Sequence, residues 1–162
     1  MKTIAIYPGS FDPITLGHLS VLKRAVTVFG EIAVVVVHNP NKAPLFSSKE
    51  RVEMISQALI EAKIEGVQVL QLEAGLLVDF AKQLSAKVIL KGFRSESDIE
   101  YELPMAQVNR DLASIETVFL PSEPEFGYVS SSLVKEVAKL GGDVSSYLTK
   151  SIAKAVVERL QK

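Results

Sequence analysis

The stretch that decides the fold is Tyr7-Pro8-Gly9-Ser10-Phe11-Asp12-Pro13-Ile14-Thr15-Leu16-Gly17-His18. An apolar run, Thr3 to Tyr7, leads into it, and an amphipathic run, Leu19 to Phe29, leads out. It reads as a strand-to-helix turn, with a strand over 2–7 and a helix over 17–29. Leu19, Leu22, Val26 and Phe29 recur at helical spacing, and Gly30 stands just past the helix end. Thr15, Gly17 and His18 fall at the helix start. Free backbone N–H groups and the positive end of the helix dipole suit an anion there, above all a phosphate. A glycine in a first helical turn costs roughly 1 kcal/mol against alanine, so its presence implies close approach to the backbone. Pro8, Gly9 and Pro13 stiffen the loop, and His18 adds a side-chain donor. The expectation is a loop that holds the triphosphate of a nucleotide.

The alternation continues downstream. Strands are predicted over 32–37, 67–72, 87–91 and 115–120. The run Ile32 to Val37 is apolar without alternation, as in a strand buried on both faces. A helix over 48–63, capped by Ser47 or Ser48, would turn Val52, Ile55, Leu59 and Ile60 inward. Further helices are predicted over 76–85 and 98–112, from Ser130-Ser131-Ser132 to Leu140, and over 149–161 with Ile152, Val156 and Leu160 on one face. Pro104 predicts a kink or restart in the 98–112 helix. This pattern implies an α/β fold, a Rossmann-like doubly wound five-stranded parallel sheet with helices on both faces. No linker or repeat divides the chain, so 1–162 reads as a single domain. Ligands of such sheets bind beyond the carboxyl ends of the strands, where strand order reverses. Four polar segments converge there: the 8–18 loop, Lys42, Lys91 to Arg94, and Phe126 to Ser132.

Composition narrows the chemistry. The 162 residues are 48% hydrophobic and carry a net charge of −1, so no general basic field invites nucleic acid or an anionic membrane. Phosphate affinity must come from local clustering. The chain has no cysteine, which excludes disulfides and thiolate chemistry, and only two histidines, so no protein-built metal site is expected. A Mg²⁺ ion carried in on phosphates stays compatible. No apolar run is long enough for a membrane helix. The first residues read as a strand and not as a leader, so a cytoplasmic location is expected.

Each candidate has a bland reading. Lys91-Gly92-Phe93-Arg94 puts two cations directly after a buried strand, whose ends are more often neutral. Arginine holds phosphate oxygens bidentately and lysine acts as a point charge, so the phosphate reading is favoured. Ser130-Ser131-Ser132 could be a generous N-cap, but three hydroxyls and free N–H groups also form a second anion site. A lone loop lysine such as Lys42 is ordinarily just solvated, and its place at the sheet edge is what promotes it. Asp12 reads as a turn residue, Asp98 and Glu100 as acids favouring a helix start, and His38 as a residue that follows a strand. Neither G-x-G-x-x-G nor G-x-x-x-x-G-K-[ST] is present, which argues against a dinucleotide-binding dehydrogenase and a P-loop NTPase.

These residues resemble a known family. Tyr7 to Pro13 with Thr15-Leu16-Gly17-His18 is similar to the (H/T)xGH signature of the nucleotidyltransferase superfamily. Gly92-Phe93-Arg94, Asp98-Ile99-Glu100-Tyr101-Glu102, Asn109-Arg110 and the run Ser130 to Val137 resemble more narrowly the bacterial phosphopantetheine adenylyltransferases, over essentially the whole chain. The resemblance implies that ATP and 4′-phosphopantetheine give dephospho-coenzyme A and pyrophosphate, with Mg²⁺, by direct in-line attack without a covalent enzyme intermediate. It implies that His18 stabilises the transition state, with Lys42 and Arg94 as further catalytic groups. It places Ser10, Phe11, His18, Gly92, Phe93, Arg94, Glu102 and the stretch Phe126, Gly127, Tyr128, Val129, Ser130, Ser131 and Ser132 on ATP. Ser10, Lys42, Lys91 and Leu77 fall on the phosphopantetheine side, Leu76 being the alternative to Leu77 after a one-residue shift. It implies a cytoplasmic homohexamer, with coenzyme A a candidate feedback ligand. Ser10, Lys91, Phe93, Phe126 and Val129 stand where Thr, Arg, Leu, Trp and Ile are common, and none of these exchanges removes a required group.

Two rivals remain at this level. One is a nucleotidyltransferase of the same superfamily acting on nicotinamide mononucleotide or a polyol phosphate, against which the D-x-E-Y-E and S-S-S-L-V-K segments speak. The other is a non-catalytic ATP-binding sensor, which would have no use for His18, Lys42 and Lys91 together.

Overall fold

In the computed structural model of the chain, residues 3–38 and 43–161 are described, so the Lys42 expectation lies outside the described residues. The elements run β1 (Thr3–Gly9), α1 (Leu16–Phe29), β2 (Gly30–Val37), α2 (Ser48–Glu61), β3 (Val67–Leu72) and α3 (Leu77–Gln83). They continue as β4 (Val88–Phe93), α4 (Glu96–Ala113), β5 (Glu116–Pro121), a 3₁₀ turn (Pro124–Phe126), α5 (Ser131–Lys139) and α6 (Lys150–Leu160). The five strands form one parallel sheet in the order β3-β2-β1-β4-β5. This is the expected doubly wound α/β architecture in one domain.

Strand alternation divides the core into two layers. Ala5, Tyr7, Ile32, Val34, Val36 and Leu90 pack with residues of α1, α2, α5 and α6. Ile6, Ala33, Val35 and Ile89 pack on the other face with Val78 and Ala81 of α3 and with Ile115. Ile32 to Val36 is buried throughout, as its unbroken apolar run predicts. Leu19 and Leu22 of α1 are buried, and Val26 and Phe29 pack partly buried behind them. Gly30 ends α1 with φ of 83°, a conformation that β-carbons disfavour. Ile152 and Val156 of α6 are buried and Leu160 partly so, the stripe read from the sequence.

Two local expectations need correction. Ile60 was expected inward but is 71% exposed. The buried face of α2 is Arg51, Ile55, Ala58 and Leu59, and each helical step of about 100° carries Ile60 past its edge. Of the two outcomes expected at Pro104, the restart does not occur, since α4 is one helix from Glu96 to Ala113. Proline forfeits one hydrogen bond to the carbonyl four residues back. Glu100 and Pro104 are both exposed, so water can serve that carbonyl. Ser47, one of the two predicted caps, closes a capping box with Glu50 on α2. Among the described residues, no helix is long and apolar enough to cross a membrane.

The packing separates two neighbouring-looking leucine-type positions by energy. Leu22→Ala, at a site that is 0% exposed, should cost about 2–5 kcal/mol in urea unfolding. Ile60→Ala should stay within about 0.5 kcal/mol of the parent.

Candidate active site

β1 pairs with β2 along its whole length, from Thr3↔Gly30 to Gly9↔Val36. Its pairing with β4 is confined to Ala5↔Val88 and Ile6↔Ile89. Beyond that point the carboxyl ends of β1 and β4 separate. This is where strand order reverses, and a cavity of about 380 Å³ opens there. It is walled by Pro8 and Gly9 at the end of β1 and Ser10 just after it, His18 and Val21 on α1, Lys91 and Gly92 at the end of β4, and the cap Ser130 and first residue Ser131 of α5.

The start of α1 is built as a reciprocal cap. The Thr15 side chain accepts from the His18 N–H at 3.4 Å, and His18 Nδ1 accepts from the Thr15 N–H at 3.1 Å. The Thr15 hydroxyl stands 3.0 Å from the same Nδ1. An Nδ1 that accepts assigns the ring proton to Nε2, so His18 offers a donor from its far nitrogen. The ring packs edge-on to Phe11 at 5.1 Å, and Phe11 in turn to Tyr7 at 5.3 Å. Burial, with a smaller contribution from the Arg94 charge, pulls the His18 pKa down to about 4. Burial pushes the Tyr7 hydroxyl up, with Arg94 opposing. Leu16 N–H is taken by the Tyr147 carbonyl at 2.9 Å. The α1 terminus is therefore largely self-capped. At α5, by contrast, Ser130 Oγ accepts only from the Leu133 N–H, and among the described residues the Ser131 and Ser132 N–H groups have no acceptor. The more open helix start is that of α5.

Gly17 has the close neighbour that a glycine in a first helical turn implies. A β-carbon there would stand 3.3 Å from Cβ of Phe126. The group that approaches the backbone is thus the 3₁₀-turn phenylalanine of this same chain. Phe126 also lines the cavity.

The two cations are held by carboxylates. Lys91 pairs with Glu102 at 3.0 Å. Arg94 donates through Nε to Asp98 Oδ2 and through Nη2 to Oδ1, both at 3.1 Å, while the Arg94 N–H donates to Oδ2 at 2.8 Å. Those Arg94 hydrogen bonds hold the Asp98 carboxyl below its usual range. Arg94 Nη1 also donates to the Val129 carbonyl at 3.2 Å, which ties the loop after β5 to the loop after β4.

Most expected site residues come together. Ser10, Phe11, His18, Lys91, Gly92 and Arg94 line the cavity, as do Glu102, Phe126, Val129, Ser130 and Ser131. Others do not. Ser132 faces a small adjoining pocket with Asp12, Arg51 and Lys135. Strand alternation sets Phe93 across β4 from Gly92. Gly127 is exposed, and Tyr128 lies edge-on to Tyr147 at 6.1 Å. Leu77 packs partly buried against the α3 layer, whereas Leu76 is 56% exposed. Sequence reading missed Asp98, treated as a helix-start acid, although its spacing of four from Arg94 is a pairing signal at a helix start. It gave Tyr7, whose signal is burial, no role of its own, and it took Asp12 for a turn residue; Thr15, read at the helix start, is the cap of α1.

The cytidylyltransferase-like family model matches residues 6–137. A phosphopantetheine adenylyltransferase from Clavibacter michiganensis is 49% identical over 160 residues, covering 98% of each chain. One from Thermotoga neapolitana is 46% identical over 160 residues, again 98% of each. The chain belongs to the phosphopantetheine adenylyltransferase family. The fold of this adenylyltransferase is shared more widely. Plasmodium falciparum nicotinic acid mononucleotide adenylyltransferase, solved with NaAD, superposes with a TM-score of 0.70 at 17% identity, covering 99% of this chain and 95% of that one. A Vibrio parahaemolyticus protein assigned as a nicotinate-nucleotide adenylyltransferase gives 0.75 at 16%, covering 100% and 98%.

The His18 environment is directly measurable. Its folded pKa lies below the ordinary value of 6.5, at about 4, so its stabilising contribution is complete above pH ~6.5 and is lost as pH falls through about 4. Imidazole ¹⁵N shifts should report the Nε2–H tautomer at neutral pH and a midpoint near 4. A midpoint near 6.5 would contradict the buried cap.

Proposed function

We propose that this protein transfers the adenylyl group of ATP to 4′-phosphopantetheine, giving dephospho-coenzyme A and pyrophosphate. The observation that carries the reading is near-half identity with phosphopantetheine adenylyltransferases over 98% of both chains, joined to a cavity between two helix N-termini at the sheet's switch point. We take residues 1–162 to work as one nucleotidyltransferase domain.

In this reading an oxygen of the pantetheine phosphate attacks the α-phosphorus of ATP, and the bond to the pyrophosphate oxygen breaks in line with it. The enzyme needs no nucleophile of its own. Its work is positioning and charge stabilisation. His18 donates from Nε2 to an α-phosphate oxygen as negative charge grows there. The start of α5, with Ser130, Ser131 and Ser132, takes the departing phosphates on its open N–H groups. Gly92, Phe93, Arg94 and Glu102 hold ATP, and the stretch Phe126 to Val129 covers adenine and phosphates. Ser10 stands between the two substrates. Lys42, Lys91 and the Leu76–Leu77 pair serve the pantetheine side, Lys42 and Arg94 adding positive charge near the reacting phosphorus. Coenzyme A, which shares groups with both substrates, is the proposed feedback ligand.

Mg²⁺ fits this site as a passenger on ATP. Among the described residues no group of acidic or histidine side chains could hold a metal by itself, and the cavity carboxylates Asp98 and Glu102 are engaged by cations. A Mg²⁺ ion carried in on ATP would need few protein ligands. Bound there it would draw charge from the leaving pyrophosphate. The proposed location is the cytoplasm, and no nucleic acid or membrane partner is proposed. A homohexamer is proposed too. It is supported by Tyr101, Met105, Val108 and Leu112 of α4, which stand exposed at steps of four, three and four, the spacing of one helix-packing seam.

With ATP and Mg²⁺, pyrophosphate should be released with 4′-phosphopantetheine and not with nicotinamide mononucleotide. His18→Ala should lower kcat by about 10²–10³-fold, the scale of a lost oxyanion donor, with an unchanged circular dichroism spectrum. Near-normal turnover in that variant would remove His18 from the mechanism. By light scattering the parent should weigh about six times its 17.7 kDa chain, and Met105→Glu with Val108→Glu should give smaller species.

A further inference from the structure

Asp12 has no part in the chemistry above, yet its side chain is only 7% exposed. Burying a carboxylate is tolerable only when it is fully paired. Oδ2 accepts from the Leu45 N–H at 2.8 Å and from Lys135 Nζ at 3.0 Å, and Oδ1 accepts from the Phe46 N–H at 3.0 Å. A turn aspartate bonds its own backbone two residues on. These partners lie 33, 34 and 123 residues away in sequence. Two neighbouring bonds reinforce the pattern. Arg51, 2% exposed, donates to the Ser10 carbonyl at 2.6 Å and to the Phe46 carbonyl at 3.1 Å. The Ser131 hydroxyl donates to the Pro13 carbonyl at 2.7 Å.

Ser10, Asp12 and Pro13 are thus each fastened from outside their own loop. Two of the fastenings, to Lys135 and Ser131, come from α5. We propose that Asp12 is a positioning residue, registering the loop that carries Ser10 and His18 against the start of α5 that carries the serine run. The inference rests on the adenylyl-transfer reading, in which those two segments grip opposite ends of the same triphosphate. In-line transfer fails when they drift, whereas binding of ATP tolerates some drift. Loss of the clasp therefore reduces kcat more than affinity.

The test compares Asp12→Asn, Lys135→Met and Lys135→Arg in the full chain. In Asp12→Asn an NH₂ group replaces one acceptor of the same shape, so at least one of the three donors loses its partner. Pyrophosphate release should fall about 10- to 100-fold in kcat, the scale of an ångström-sized misplacement, with KM for ATP within about threefold. Hydrogen exchange at the Leu45 and Phe46 amides should accelerate. Lys135→Met should show the same kcat-selective loss in smaller measure, and Lys135→Arg should restore turnover. An Asp12→Asn enzyme with near-parental kcat overturns the proposal. So does a folded Lys135→Met enzyme with parental kcat, or one in which only KM for ATP rises, which would put Lys135 on the substrate itself. If the parent releases no pyrophosphate from ATP and 4′-phosphopantetheine, the adenylyl-transfer reading fails instead, and the amide exchange still reports whether Asp12 holds the 45–46 segment.

Discussion

The uneven pairing of β1 is the constraint on which the site depends. Its bond ladder to β2 is complete, while that to β4 stops at Ile6↔Ile89. Crossovers between parallel strands are right-handed. The first two step away from β1 toward β3, and the next two run back past it to β4 and β5. Reversal of direction puts α1 and α2 on one face and α3 on the other. The segment between β5 and α5 spans the opening between the ends of β1 and β4, with Val129 bonded to Arg94 and Ser131 to Pro13. The cavity is therefore a consequence of topology, and the loops that follow those two strands reach it without any special arrangement.

Charge in the cavity is more restrained than a list of its cations suggests. Lys91 and Arg94 each hold a carboxylate of α4, and these pairs are partly solvated, with side chains 23–35% exposed. Pairs of this kind contribute about 0–1 kcal/mol, so an entering phosphate can exchange for a carboxylate at small cost. What the pairs provide is geometry, because a long cationic side chain is held at the wall before any anion arrives. Net attraction then falls to the helix ends, and the two differ. Thr15, His18 and Tyr147 consume most of the donors of α1, whereas α5 keeps those of Ser131 and Ser132.

The fold was legible because it depends on periodicity. Unbroken apolar runs gave strands buried on both faces, and stripes such as Ile152-Val156-Leu160 gave the helix faces. Ile60 misled because an apolar residue beside a stripe is indistinguishable in sequence from one within it. The site was legible where the signal was local, as in Thr15-Leu16-Gly17-His18 and the serine run. It was hidden where the partner is remote. Nothing within four residues of Asp12 announces Leu45, Phe46 or Lys135. Nor does the neighbourhood of Gly17 announce Phe126, the remote group that makes the close approach the glycine implies.

The capped histidine shows how a structural bond sets a chemical role. A histidine whose Nδ1 accepts from the backbone cannot use that nitrogen to take up a proton without breaking the cap. Burial and the nearby Arg94 act in the same direction, so the ring stays neutral well below neutral pH. A neutral ring with its proton on Nε2 is a poor general acid, and the proposed adenylyl transfer needs none, since the attacking phosphate oxygen is already ionised and pyrophosphate departs as a stable anion. In the proposed mechanism the demand on the site is a donor fixed where charge accumulates on the α-phosphate. An imidazole anchored at one nitrogen meets it with little reorganisation, and the same bond that starts α1 aims the donor.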